Sequence, residues 1–248
     1  MEVITGLIIG FGGILIGNMI EGGHNGSLVQ YSAGLIVLTG TLGAVIIGSK
    51  FEDIRLGLKL ARRTFGKGGN ERGPLLAKIL DMAKLARKES PLSLEPKISE
   101  IDDEFLRDVM RTVVDNVDPN VMREVFHTRM NAEEEKLNSG AKVWADAGGF
   151  SPTIGIIGAV LGLIHVMSNL TDTSKLGTGI AVAFVATIYG VGFANLVFIP
   201  LSNKIKKVVH EDMQIREMSL QGGLGIQNGL NPSVLEMKLK AFLEADKK

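Results

Sequence analysis

A chain segment crosses a bilayer only if about 20 consecutive residues carry no charge to desolvate. This chain has four such segments, free of Asp, Glu, Lys and Arg: residues 3–20, 28–49, 148–171 and 176–203. Glu2 and Glu21 bound the first, Lys50 stops the second, Asp146 and Asp172 bound the third, and Lys204 closes the fourth. Met1-Glu2 supplies no basic stretch ahead of the first run, so that run reads as a span and not as a cleaved leader. Composition agrees only once it is read segment by segment. Mean hydropathy is +0.22, high for a soluble domain, yet 22% of residues are charged; the charges are therefore absent from some stretches and dense in others.

Basic residues orient the spans. Of 27 Lys and Arg, 18 lie in residues 50–142, one (Lys175) lies between the third and fourth runs, and 8 follow from Lys204 onward. Residues 21–27 hold none. Lys and Arg collect on the cytoplasmic side, which places both termini and residues 50–147 in the cytoplasm and leaves two short turns outside. The expected organisation is all-α: residues 1–49 as spans one and two, 50–147 as a cytoplasmic helical domain, 148–203 as spans three and four, and 204–248 as a cytoplasmic helical tail. Gly6 and Gly10, Gly13 and Gly17, and Gly158 and Gly162 share the small-xxx-small spacing that lets helix backbones approach in lipid. They serve either packing within the chain or a larger ring.

The polar stretch reads as helices. Pro74 opens one with Leu75, Leu76, Ile79, Leu80, Ala83 and Ala86 at three-and-four spacing, and Ser90-Pro91 breaks it. A second is expected from near Ser99 through Ile101, Phe105, Leu106 and Val109. Asp118-Pro119 is a cap followed by proline at the first helical position. From there a helix can run past Trp144 into span three without a break, which at about 1.5 Å per residue projects tens of ångströms. Asn231-Pro232 repeats the start signal before Val234, Leu235, Leu239 and Phe242. There is no cysteine, hence no disulfide or thiolate site. His24, His127, His165 and His210 are scattered and give no metal-ligand spacing. No nucleophile, base and orienter are grouped as in an enzyme, and a formal charge of +0 gives no reason to expect nucleic-acid binding.

The spans contain no carboxylate and no Lys or Arg. Ion pathways through lipid normally use buried Asp, Glu or His; here only His165, Thr153, Thr187, Tyr31, Tyr189 and Asn195 are available. Either the chain moves no ions, or a titrating carboxylate comes from another chain.

Span three reads Ser151-Pro152-Thr153-Ile154-Gly155-Ile156-Ile157-Gly158-Ala159-Val160-Leu161-Gly162-Leu163. Span four carries Gly177, Ala181, Ala183, Ala186-Thr187-Ile188-Tyr189-Gly190 and a closing Pro200. With Ala86-Arg87-Lys88-Glu89, Leu92-Ser93-Leu94-Glu95 and Asn231-Pro232, these blocks resemble the MotA/PomA flagellar stator family over essentially the whole chain. The resemblance implies a multi-pass protein of the bacterial cytoplasmic (inner) membrane. It implies a homo-oligomeric ring, a pentamer, around a MotB-like, peptidoglycan-anchored dimeric B subunit whose aspartate binds the ion. That would supply the missing carboxylate. It also implies torque on a FliG-like rotor switch-complex protein, with no cofactor beyond the coupling ion. One charge crossing about 100 mV releases about 2.3 kcal/mol.

By the same resemblance, Pro152 and Pro200 match the family's two prolines, Thr187 a threonine along the ion path, and Arg87 and Glu95 the charges that engage the rotor. Proline removes an amide donor and frees a carbonyl; exposed charges on a helix are otherwise an ordinary solvated face. Thr187 can face the channel or bond back to its own helix. Sodium-driven members place a hydroxyl where this chain has Ala159, so the coupling ion is expected to be the proton, with sodium as the alternative. Many members also hold an acid two or three residues before the span-three proline, where Gly149 and Phe150 stand here. Three rivals remain: the ExbB/TolQ energy-coupling group, with three spans, a scaffold, and a transporter, for which intramembrane polar pairs or repeats would be expected.

Overall fold

The computed structural model describes residues 2–66, 72–171 and 173–244. Asp172 lies outside them, as does the side chain of Lys175, so the turn that carries the lone base between spans three and four is read from sequence only. Among the described residues every regular element is helical. In chain order the α-helices are α1 (Glu2–Ile20), α2 (Tyr31–Gly48), α3 (Phe51–Thr64), α4 (Arg72–Lys88), α5 (Glu95–Ile98), α6 (Glu104–Val114), α7 (Pro119–Met167), α8 (Thr173–Phe193), α9 (Ile199–Gln227) and α10 (Pro232–Glu244). Among the described residues, four helical stretches are long and apolar enough to cross a membrane, one for each charge-free run.

The chain divides into two compact units, residues 1–67 with 137–207 and residues 68–136 with 208–248. The first is the spanning unit. In it α2 packs along α8, with Ala33 and Val37 against Val185 and Ala186. Lower on the same face, Val45 meets Val143, Ala147 and Phe198. By contrast α1 has no buried residue at all. The strongly amphipathic helix α3 was not foreseen as a separate element. It lies against α7 through glycines: a Cβ on Gly57 would stand 2.7 Å from the Gly140 carbonyl, and Trp144 Nε1 donates to the Gly57 carbonyl at 3.0 Å.

The second, polar unit has a conventional side-chain core. Ile79, Leu94, Leu106, Met110, Met122, Leu220, Leu224, Leu235 and Leu239 are essentially inaccessible. Phe105 meets Phe126 edge-on at 5.3 Å and lies between the guanidinium groups of Arg129 and Arg216, 5.7 and 5.4 Å from its centre. Arg216 is clamped by both oxygens of Glu133, and Arg129 bonds Asp108 at 2.6 Å. Gly222, Gly223 and Gly225 of α9 lie against Ile79, Val109 and Leu235, at distances no Cβ would tolerate.

Two caps match the sequence reading. Asp118 Oδ1 accepts from the amides of Asn120 and Val121, and Asn231 Oδ1 accepts from Ser233. From Pro119 the chain then runs as one 49-residue helix into span three. Two expectations need correction. The helix placed near Ser99 starts at Glu104, because the Asp103 carboxylate caps the Leu106 amide at 2.6 Å; Ile101 is buried ahead of it. Pro74 stands two residues inside α4, where its missing amide still costs no helical bond. The break expected at Ser90-Pro91 is present: α4 ends at Lys88, a 3₁₀ turn spans Pro91–Leu94, and Glu95 opens the four-residue α5.

Candidate functional site: a glycine-lined pair of spans

Spans three and four approach to backbone contact. A Cβ added to Gly155 would stand 2.9 Å from the Ala186 carbonyl oxygen, and one on Gly190 2.7 Å from the Ser151 carbonyl oxygen. One on Gly162 would meet the Ala183 amide nitrogen at 2.8 Å, and one on Gly158 the Ala186 Cβ at 2.8 Å. The pair Gly158 and Gly162 therefore packs within the chain. Gly6, Gly13 and Gly17 of α1 have nothing within 4 Å, and Gly10 meets Leu196.

The expected pathway residues flank this seam. Pro152 and Ala159 lie seven residues apart on one face of α7, about 10 Å along it, and both are half-buried. Ala159 follows Gly158 and Thr187 follows Ala186, so both sit one residue from the same inter-helix contact. Thr187 is half-buried, and its hydroxyl donates to the Ala183 carbonyl of its own helix at 3.2 Å. The back-bonded alternative is therefore the one observed, and the oxygen keeps its lone pairs for a second partner. Thr153 and Asn195 likewise bond back to Phe150 and Val191, and His165 is exposed. Tyr189 ties span four to the turn before α2, donating to the Leu28 carbonyl at 2.6 Å. Tyr31 is exposed.

Pro200 lies 13 residues beyond Thr187 and does not join it, but it does meet the consequences of Pro152. Proline at 152 leaves the Gly148 carbonyl without its helical donor. A Cβ on Gly148 would stand 2.5 Å from Ile199, the residue before Pro200. Ala194–Phe198 just upstream forms one π-helical stretch, which widens the helix where the proline ring would crowd it. The two proline defects thus occur at one level of the spanning unit. Sequence inspection missed the π-helix; its signal was a proline deep inside an otherwise unbroken helical run.

Two hydroxyls were also missed. Thr41 Oγ1 and Ser151 Oγ are buried without a hydrogen-bond partner in the protein, whereas Thr39 and Ser168 bond back to Leu35 and Ile164. Thr41 lies one turn beyond Val37, Ser151 one turn beyond Ala147, and Gly190 one turn beyond Ala186. They fall between the two apolar clusters of the unit, level with Pro152.

Arg87 and Glu95 are exposed and stand on separate elements. Arg87 complements the C-terminal end of α4, and Glu95 the start of α5. Both belong to the polar unit.

The sequence model of the MotA/TolQ/ExbB proton channel family matches residues 97–218. Motility protein A of Bacillus subtilis is 32% identical over 98% of this chain and 90% of its own length. The chain belongs to this family. Within it, the full-length similarity is to the motility branch. Chemotaxis protein PomA of Vibrio alginolyticus is 31% identical over all of this chain and 97% of its own. Among solved structures, C. jejuni MotAB superposes with a TM-score of 0.92 at 28% identity, covering 97% of this chain and 94% of that one. The flagellar MotAB stator complex of Bacillus subtilis gives 0.88 at 30% identity, covering 98% and 96%. The family is one of membrane channels, so the four apolar helices are those of an inner-membrane protein.

Proposed function

We propose that this chain is the A-type subunit of a proton-driven flagellar stator. It assembles as a ring of copies, a pentamer, around a dimeric, wall-anchored B-type partner, with both termini in the cytoplasm. The observation that carries the reading is a family of channels whose spans here hold no carboxylate, Lys or Arg. A channel subunit of that kind takes its titrating acid from a second chain. Pro152 and Pro200, brought to one level where Gly148 meets Ile199, form the compliant point of the pathway. Thr187 gives it a hydroxyl, and Ala159 withholds one. A proton needs only a titrating acid and a water or hydroxyl, whereas stripping sodium of its hydration demands several oxygens.

Arg87 and Glu95 steer the contact with the rotor's switch-complex protein, where exposed complementary charge suits a contact made and released at each step. Flux in vesicles decides the partner: this chain alone should conduct nothing, and flux equal to that of the two-subunit complex would sink the reading. Tethered-motor speed decides the ion. It should stay flat as sodium is replaced by potassium at fixed pH and stop with a protonophore; a fall with sodium reverses the assignment. Charge reversal at Arg87 or Glu95 should lower torque at unchanged flux, and unchanged torque at low salt would return both to an ordinary solvated face.

A further inference from the structure

A groove of about 320 Å³ runs along the flank of the spanning unit between the first two turns of α1 and the stretch from the π-helix into α9. Its ends are defined by two contacts. At one, Leu196 lies over Gly10, 3.0 Å from where a Cβ would stand; at the other, Lys204 is ion-paired with Glu2. Residues 2 to 10 rise about 12 Å along the helix, which sets the groove's length. Its walls include Val3, Gly6, Leu7, Phe65, Val197 and Pro200, with Asn195, whose amide nitrogen donates back to the Val191 carbonyl, as the neutral polar side chain apart from the charged end. Because α1 buries nothing and Gly6 meets nothing, the groove opens on the side of the unit that faces lipid or another chain.

We propose that this groove binds one phospholipid with an ethanolamine-type head, its acyl chain between α1 and the π-helical turn and its head group on Glu2 and Lys204. The charge pattern selects this occupant. One carboxylate and one ammonium stand side by side, Lys204 half-buried and Glu2 exposed, with Lys207 acting on the same carboxylate. A lysine ammonium keeps further N–H donors beyond the one given to Glu2, and the carboxylate keeps a second oxygen. A head group carrying a phosphate and a primary ammonium meets both, phosphate on Lys204 and ammonium on Glu2, closing an alternating ring of four charges. A choline head has the charges but no N–H to donate, and a glycerol head has no cation for Glu2. The position gives the lipid a consequence: it occupies the wall formed by the π-helix and Pro200, where the helix departs from α geometry. The proposal requires only that the spans lie in a bilayer and stands apart from the choice of coupling ion or rotor contact.

The test uses the complete two-subunit complex, equilibrated with vesicles of equal phosphatidylethanolamine, phosphatidylglycerol and phosphatidylcholine and examined by native mass spectrometry. Phosphatidylethanolamine should be retained over phosphatidylcholine by about tenfold, the discrimination one charge-assisted hydrogen bond supplies. Glu2→Gln should erase that preference while leaving bound lipid. Gly6→Leu, which adds a side chain into open space, should expel it. Equal retention of the three lipids, a preference indifferent to Glu2→Gln, or retention indifferent to Gly6→Leu would each overturn the assignment. A photoreactive benzoylphenylalanine at Val3 reads the occupant with every charge in place, so the test survives if the Gly6 variant fails to assemble. A lipid adduct supports the site; a crosslink to a second protein chain gives the groove to a protein contact and refutes it.

Discussion

The two units of this molecule are held together in opposite ways. In the polar unit, large side chains fill a core: Phe105 is wedged between Phe126, Arg129 and Arg216, with Leu106, Val109 and Met110 inaccessible beside it. In the spanning unit, contact is made by the absence of side chains: Gly155 and Gly190 bring backbone to within contact of backbone, while Ile156, Ile157, Val160 and Leu161 on the other faces of the same helix are exposed. The difference follows from the solvent. In water, apolar area removed from contact with solvent drives the assembly. In lipid that gain disappears and close van der Waals approach takes its place. The two units should therefore answer substitutions of opposite kind.

The largest effect is expected where a core side chain is removed. Phe105→Ala should destabilise the polar unit by about 3–5 kcal/mol, read as a lowered denaturant midpoint and faster amide exchange in α6. Ile157→Ala, an equally apolar truncation in the spanning unit, should leave the melting of the complex nearly unchanged, and a comparable loss there would erase the contrast. Next comes the reverse change. Gly190→Ala puts a methyl 2.7 Å from the Ser151 carbonyl oxygen and should cost about 1–3 kcal/mol by forcing the helices apart, measured as thermal loss of the assembled complex. Gly13→Ala has open space and should be neutral or better.

Asp118→Ala removes the cap on the Asn120 and Val121 amides and should lower stability by about 1 kcal/mol, with fraying confined to the first turn of α7 in exchange measurements. The smallest change has the opposite sign. Ser151→Ala or Thr41→Val deletes a buried hydroxyl that lacks a protein partner. Stability should rise by up to about 1 kcal/mol, read as a higher melting temperature. A fall, with non-additive effects in the double variant, would mean that the two hydroxyls share a bound water.

How much was legible in the sequence follows the same division. Spans announce themselves because a charge in lipid is so unfavourable that its absence over twenty residues leaves few other readings, and the caps at Asp118 and Asn231 are local chemistry. The start of α6 was misplaced because Ile101 continues the apolar rhythm while Asp103, a better cap, interrupts it; periodicity was weighed above capping. The break between Arg87 and Glu95 was legible in Ser90-Pro91, because a proline bars the helical conformation to the residue before it. What no pattern could give were facts of pairing: that Gly158 faces span four while Gly13 faces nothing, that Gly148 meets Ile199, that Thr41 and Ser151 share a level. Each is a statement about two distant segments, and the letters at either end are unremarkable glycines and hydroxyls.

The seam between Gly155 and Gly190 carries one last implication. A surface built from backbone has no rotamers, so it has no soft modes by which to yield; it is either seated or parted. Spans three and four are then expected to travel as a single plate, with any displacement of the pair absorbed where contacts are adjustable, at the π-helical turn by Pro200 and along the bare flank of α1. A joint that cannot bend is here made of the smallest residues.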